Sequence, residues 1–303
     1  MIRDIEKFKG IFVAFYACYD SEGNVSPAKA ASLARWYQSK GINGLYVNGS
    51  SGEGMMLSVD ERNALLDAVL DAVGGKVPVI AHVGASSTRE ATSLATYAAQ
   101  AGCDAISSVP NIYYPLPEDC IENYWDALID AARIPFIIYN IPAATGYNIS
   151  LNLFEKMIRK EYVAGIKTTS PDCALIAAMK RVGGESTLIF HGEDAQVLAG
   201  LSMGATGGIG GTYGAMPELF INLYRAYRTG NMEKALLWQN RAAIASSLGR
   251  VPWTPGVASM KAILNARGQD TGGVRPPFKT VSPATPVVRD AAKMIERWVK
   301  EDD

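Results

Sequence analysis

One pattern constrains this chain more than any other. A short apolar run is followed by a helix-forming segment, and the pair recurs eight times before residue 230. The runs span residues 11–15, 44–47, 77–83, 104–109, 135–140, 163–167, 187–191 and 207–210. They lack the in-out alternation of half-exposed strands, so both faces are expected to be buried, as in a parallel sheet. Between them stand helix starts: Ser26-Pro27, Pro117, and the boxes Ser58-Val59-Asp60-Glu61 and Ser87-Thr88-Arg89-Glu90. A hydroxyl there accepts an orphan amide, and the glutamate reaches back. Eight such units predict an α/β chain closed into a (β/α)8 TIM barrel. An open doubly wound sheet is expected to carry Gly-x-Gly-x-x-Gly after its first strand, and the glycines at 207–211 come too late.

After about residue 229 the alternation stops. Residues 232–248, 256–266 and 283–300 read as three helices joined by Pro/Gly-rich links at 250–255 and 272–277. The expected division is a barrel over 1–229 and a helical region over 230–303 packed on it. The 303 residues suit a barrel of about 250 residues with an appendage. Net charge is −1 and the pI about 6.2, which gives no electrostatic footprint for nucleic acid or an anionic membrane. The longest apolar runs are strand-length, far below the roughly 20 residues of a membrane span. Residues 1–7 are charged and lack the apolar core of a signal peptide. Cys18, Cys103, Cys120 and Cys173 form no C-x-x-C pair and read as free thiols. A soluble cytoplasmic protein is expected.

Chemistry in such barrels sits at the carboxyl ends of the strands. The sixth run, Val163-Ala164-Gly165-Ile166-Lys167, delivers an ammonium group there. Burying an unpaired lysine costs several kcal/mol, so it needs a partner, an exit to water or a task. A strand-end lysine that reaches solvent is the plain alternative. Schiff-base chemistry is the fitting task, because burial favours the neutral, nucleophilic amine. The other strand ends carry Ser50, Ser51 and Glu53, then His82, Tyr113 and Tyr114, Tyr139 and Asn140, Thr169, His191 to Asp194, and 209–213. Polar groups therefore converge on Lys167.

Five of these segments carry a resemblance: Gly49-Ser50-Ser51-Gly52-Glu53, Tyr113-Tyr114-Pro115, Tyr139-Asn140-Ile141-Pro142, Gly165-Ile166-Lys167 and Gly207-Gly208-Ile209-Gly210. Together they resemble the dihydrodipicolinate synthase / N-acetylneuraminate lyase family over almost the whole chain. The resemblance implies class I aldolase chemistry on pyruvate through a covalent Schiff base, with no metal and no separate cofactor, in a homotetramer. It implies that Lys167 forms the imine and that Tyr139 shuttles the proton. Ser50 and Ser51 would hold the pyruvate carboxylate, and Ile209 would offer its backbone carbonyl. Tyr113 would reach into a neighbouring subunit's site. Glu53 reads as a structural tie for its turn.

The departures sort the branches. Synthases that condense pyruvate with aspartate semialdehyde carry an arginine after Tyr-Asn-x-Pro, and here Ala144 stands there. A methyl group cannot pair a carboxylate, so that reaction is disfavoured. The sialic acid lyases are closer: Thr169, Gly192 and Asp194 match positions that hold the sugar. Ala195 and Gly211 replace an acid and a serine at two others, and Glu193 supplies an acid one residue early. Residues 15–19, Phe-Tyr-Ala-Cys-Tyr, replace a common Thr-Pro-Phe turn. The expectation is a lyase or aldolase acting on a 2-oxo sugar acid. Dihydrodipicolinate synthase and a 2-keto-3-deoxy sugar acid aldolase or dehydratase stand as alternatives, and a non-catalytic keto-acid sensor stands further off. A metal-dependent hydrolase using His82, His191, Glu53 and Asp194 is disfavoured by their spacing.

Overall fold

A computed structural model describes residues 5–110 and 112–301. Eight parallel strands close in sequence order: β1 (Gly10–Ala14), β2 (Gly44–Val47), β3 (Val79–His82), β4 (Ala105–Ser108), β5 (Phe136–Asn140), β6 (Val163–Thr168), β7 (Leu188–His191) and β8 (Gly207–Gly210). β8 pairs back to β1, with Phe12 opposite Ile209, so no edge is left. The closed barrel expected from the alternation is the fold.

Every strand residue is buried. Phe12, Tyr46, Ile80, Ala105, Ile137, Tyr139, Leu188, Phe190 and Ile209 fill the interior, and a larger cluster joins the outer strand faces to the helices. β8 forms from glycine and one isoleucine, a poor strand by composition. The reason is space rather than propensity. A side chain at Gly207 would collide with the Gly10 carbonyl, one at Gly208 with the Tyr213 hydroxyl, and one at Gly210 with Asp194 and Tyr213.

The helices between strands are α1 (Pro27–Ser39), α2 (Val59–Val73), α3 (Thr88–Gln100), α4 (Glu118–Ala132), α5 (Pro142–Thr145), α6 (Leu151–Ile158), α7 (Cys173–Gly183), α8 (Val197–Ser202) and α9 (Pro217–Arg228). Ser58 and Glu61 cap α2 reciprocally, and Ser87 Oγ accepts the Glu90 amide at the start of α3. The single turn α5 was not legible in advance. It carries Ala144, exposed beside the barrel mouth.

Three further helices follow: α10 (Met232–Leu248), α11 (Gly256–Ala266) and α12 (Pro286–Lys300). α10 packs on α9, and α11 and α12 on each other. Two buried ties reach the barrel mouth from this region. Lys261 Nζ donates to the Ala17 carbonyl (2.7 Å) and to Glu53 Oε1 (3.4 Å). The Arg275 amide donates to Glu53 Oε2 (2.7 Å). No helix among the described residues is long and apolar enough to cross a membrane.

Candidate active site

Register places the central residues side by side: Tyr139 on β5 is opposite Lys167 on β6, which is opposite Phe190 on β7. Lys167 is 5% exposed, and its Nζ lies 3.5 Å from the centroid of the Tyr139 ring and 5.2 Å from that of Tyr46. It makes no ion pair with a carboxylate among the described residues. Its ammonium form is held by aromatic faces, a weaker grip than a buried carboxylate gives. Tyr139 packs edge-on against both Tyr46 and His82. The Tyr46 hydroxyl donates to Ser107 Oγ (3.0 Å), and burial pushes its phenol well above the usual range. Burial, then Arg62 and Lys167, push the His82 imidazole well below its ordinary value, which keeps it neutral.

The loop after β2 is a tight turn. Asn48 and Glu53 both adopt left-handed φ values, 63° and 53°. The Gly49 carbonyl accepts the Gly52 and Gly54 amides and the Ser50 carbonyl accepts that of Glu53, so the turn itself consumes none of the Ser50 and Ser51 amides. Ser50 is exposed and Ser51 half-buried. Asn48 Nδ2 donates to the Arg62 carbonyl (2.9 Å), while Arg62 donates to the His82 and Gly84 carbonyls. With Glu53 held by Lys261 and Arg275, the turn is fixed at both ends.

Across the mouth, Gly211 faces this turn: a side-chain carbon there would lie 2.6 Å from Ser51 Oγ. Tyr16, from the departing segment after β1, is fully buried and donates a short hydrogen bond to the Gly211 carbonyl. Thr169, Gly192 and Asp194 lie together beyond Lys167. A side chain at Gly192 would collide with Thr169 Oγ1, and one at Gly210 with Asp194 Oδ1. Thr169 Oγ1 and Asp194 Oδ1 are both buried without a hydrogen-bond partner. Asp194 Oδ2 accepts the Thr212 amide (2.7 Å). Burial raises the Asp194 carboxyl to about 6, against the opposing pull of the Thr212 bond and Lys167.

Of the residues singled out in the sequence, Lys167, Tyr139, Ser51, Thr169, Gly192, Asp194, Ile209 and Gly211 thus meet at one end of the barrel. Ser50 flanks them on the surface. Tyr113 stands apart, 88% exposed, with φ of 84°. Three residues are not marked by the sequence reading. Tyr46 hides inside an apolar run, though its place one register step from the strand end is a usable signal. Gln239 and Lys261 act across long sequence separations, and no local signal marks them. Tyr16 lies in the departing segment 15–19, but its bond to Gly211 is not legible there. Gln239 on α10 donates to the Asp194 carbonyl (3.1 Å) and accepts the Leu198 amide (3.0 Å). Among the described residues no cluster of His, Cys, Asp and Glu could hold a metal ion.

A family model described as the dihydrodipicolinate synthetase family matches residues 7–294. The chain belongs to that family. Within it, the chain is 40% identical to an N-acetylneuraminate lyase of Mediterraneibacter gnavus over 302 residues, covering 97% of this chain and 94% of that protein. It is 33% identical to an N-acetylneuraminate lyase of Rhizobium meliloti, covering 96% and 97%. Among solved structures, a catalytic-lysine mutant of the Ruminococcus gnavus sialic acid aldolase superposes with a TM-score of 0.96 at 39% identity, covering 99% of both chains. This member of the dihydrodipicolinate synthetase family is a carbon–carbon lyase of the class I aldolase type.

Proposed function

We propose that this lyase works through Lys167 and that its substrates are 2-oxo sugar acids of the sialic acid kind. The observation that carries the reading is a buried amine without an ion pair, set against Tyr139 between a fixed hydroxyl turn and an orphaned polar wall. The Lys167 nitrogen attacks the 2-oxo carbon, and loss of water leaves a protonated imine. Tyr139 gives its own proton to the hydroxide that leaves as water during imine formation. The resulting phenolate accepts the proton of the C4 hydroxyl as the C3–C4 bond breaks, and the bonding pair moves into the iminium to give an enamine. An aldose departs. Protonation at C3 and hydrolysis then return pyruvate and the free amine. Ser50 and Ser51 supply hydroxyls and amides to the carboxylate, and the Ile209 carbonyl faces the reacting carbons.

The relatives named N-acetylneuraminate lyase support the substrate class. The exposed methyl of Ala144 weighs against a substrate whose second carboxylate must be gripped there. We further infer a cytoplasmic homotetramer in which Tyr113, uncovered in the single chain, completes a neighbour's site; its exposure and left-handed backbone suit a residue held by a partner. The chemistry requires no metal or separate cofactor. Borohydride reduction in the presence of pyruvate is expected to add roughly 70 Da at Lys167. An unmodified Lys167 peptide, with the protein folded, sinks the mechanism.

A further inference from the structure

Beneath the hydroxyl turn lies a buried charge with no counter-charge. Arg62, near the start of α2, is 1% exposed. Its guanidinium donates to the carbonyls of His82 (2.6 Å) and Gly84 (2.9 Å) at the end of β3, and its Nε has no partner. No carboxylate among the described residues forms an ion pair with it. Glu90, partly exposed at the start of α3, acts on it only through space. Burial draws the guanidinium down to about 10, so it keeps its charge at neutral pH.

Two carbonyls do not need a cation, because a neutral amide side chain could donate to them. Burying a charge without an opposite one costs several kcal/mol, so the charge points to an anion that the chain itself does not supply. The neighbouring cations are already answered, Lys261 by Glu53 (3.4 Å) and Arg275 by Glu61 (2.7 Å). The turn above shows the reverse imbalance. Residues 48–54, Asn-Gly-Ser-Ser-Gly-Glu-Gly, offer a carboxylate hydroxyls and amides but no cation. The two are joined, since Asn48 Nδ2 at the head of that turn donates to the Arg62 main-chain carbonyl (2.9 Å). His82, held neutral by burial and then by Arg62, packs edge-on against Tyr139 with ring centroids 6.0 Å apart. The guanidinium therefore stands one layer behind the reacting groups.

We propose that Arg62 is the fixed counter-charge of the substrate carboxylate. It does not touch the substrate and is a positioning residue: it holds Asn48 through its backbone and supplies positive potential beneath Ser50 and Ser51. Its charge matters most once the enamine forms. The bonding pair then cancels the charge on the Lys167 nitrogen, and Arg62 remains as the cation opposing the carboxylate. The inference rests on the reading of Ser50 and Ser51 as the carboxylate cradle.

The test uses the intact protein with Arg62→Met and Arg62→Lys, folding being checked by thermal melts. Oxamate, a pyruvate isostere whose amide does not form an imine, is titrated calorimetrically beside its neutral methyl ester. Binding is thus read without any step at Lys167. The unaltered protein is expected to favour the anion over the ester. Arg62→Met should weaken oxamate about tenfold, or about 1.4 kcal/mol, and leave the ester within twofold. Arg62→Lys, which keeps the charge and loses the fork, should retain most of the preference. The proposal is overturned if the unaltered protein binds both alike, or if Arg62→Met weakens both or neither. Should Arg62→Met not fold, Arg62→Lys decides, because a preference lost with the charge kept overturns the proposal and a preference kept upholds it. Failure of pyruvate trapping in the unaltered protein would instead strike the lyase mechanism and leave the oxamate result standing.

Discussion

The two sides of the barrel mouth are built to different standards. On the side assigned to pyruvate, the groups around the hydroxyl turn are tied to one another: Lys167 lies against Tyr139, Tyr46 is bonded to Ser107, Arg62 to two carbonyls, and Glu53 is pinned by Lys261 and the Arg275 amide. Asn48 Oδ1, Arg62 Nε and His82 Nδ1 are left unpartnered beneath it. On the far side, Thr169 Oγ1 and Asp194 Oδ1 are buried without partners, and Glu193 and Arg250 stand unpaired. Unmade hydrogen bonds cost stability unless a ligand completes them. One side is therefore preorganised for a fixed reaction, and the other is left to be finished by the substrate. The difference locates common chemistry and variable specificity on opposite walls of one site.

Removing the reacting groups should break the comparison most severely. Lys167→Ala is expected to lower kcat at least about 10⁴-fold, as loss of an activated nucleophile does. Tyr139→Phe should lower it by about 10² to 10⁴, the scale of a lost acid–base group, while pyruvate can still be trapped on Lys167. Steady-state pyruvate release paired with borohydride trapping separates the two roles. A Tyr139→Phe enzyme of normal kcat would remove the phenol from the mechanism.

The strut beneath the hydroxyl turn comes next. Lys261→Met leaves the Glu53 carboxylate buried with the Arg275 amide as its remaining donor, and breaking such a buried pair costs about 3–5 kcal/mol. Urea unfolding should show that loss, whereas Arg159→Ala, at the exposed Arg159–Glu155 pair, should change stability by less than about 1 kcal/mol. Equal effects would mean that the turn is not held from the C-terminal region.

Asp194 sharpens the other wall through pH. Its carboxyl, raised to about 6, is neutral below that pH and charged above it. A charged carboxylate accepts sugar hydroxyls better than a neutral one, so KM for a nine-carbon acid should rise as pH falls through about 6. Asp194→Asn should raise KM about tenfold at pH 8 and flatten that inflection. The sign for stability is opposite: a carboxyl whose folded value lies above its unfolded one weakens the fold as pH climbs from about 4 to 6, so the Asn variant should gain stability above pH 6. An inflection that survives in Asp194→Asn belongs to another group.

Much of this arrangement was legible before any coordinates. The barrel follows from eight apolar runs, and barrel geometry alone sends Ser51, Tyr139, Lys167 and Asp194 to one end. Local patterns reach no further than that. Whether Asp194 is pushed to about 6 depends on burial by segments far away in the chain. The hold on its loop comes from Gln239, 45 residues on, and the hold on Glu53 from Lys261, 208 residues on. Such contacts leave no periodicity or spacing to read.

Gly211 is where the two walls touch, and the smallest predicted effect is the finest probe of their contact. The residue lacks a side chain, and a carbon there would sit 2.6 Å from Ser51 Oγ, closer than packing allows. The Tyr16 hydroxyl bonds the Gly211 carbonyl, so this backbone cannot easily retreat. In Gly211→Ala the strain must pass to Ser51, whose rotation away costs about 0.5–1.5 kcal/mol. If Ser51 holds the pyruvate carboxylate, KM for pyruvate trapping should rise roughly two- to tenfold, with little change in the trapped yield at saturation. The cycle with Ser51→Ala decides the cause. Without its oxygen the added methyl meets no obstacle, so Gly211→Ala should then cost almost nothing, and the two changes should be non-additive. Strict additivity would mean that Gly211 acts through the sugar wall alone and that the walls are independent.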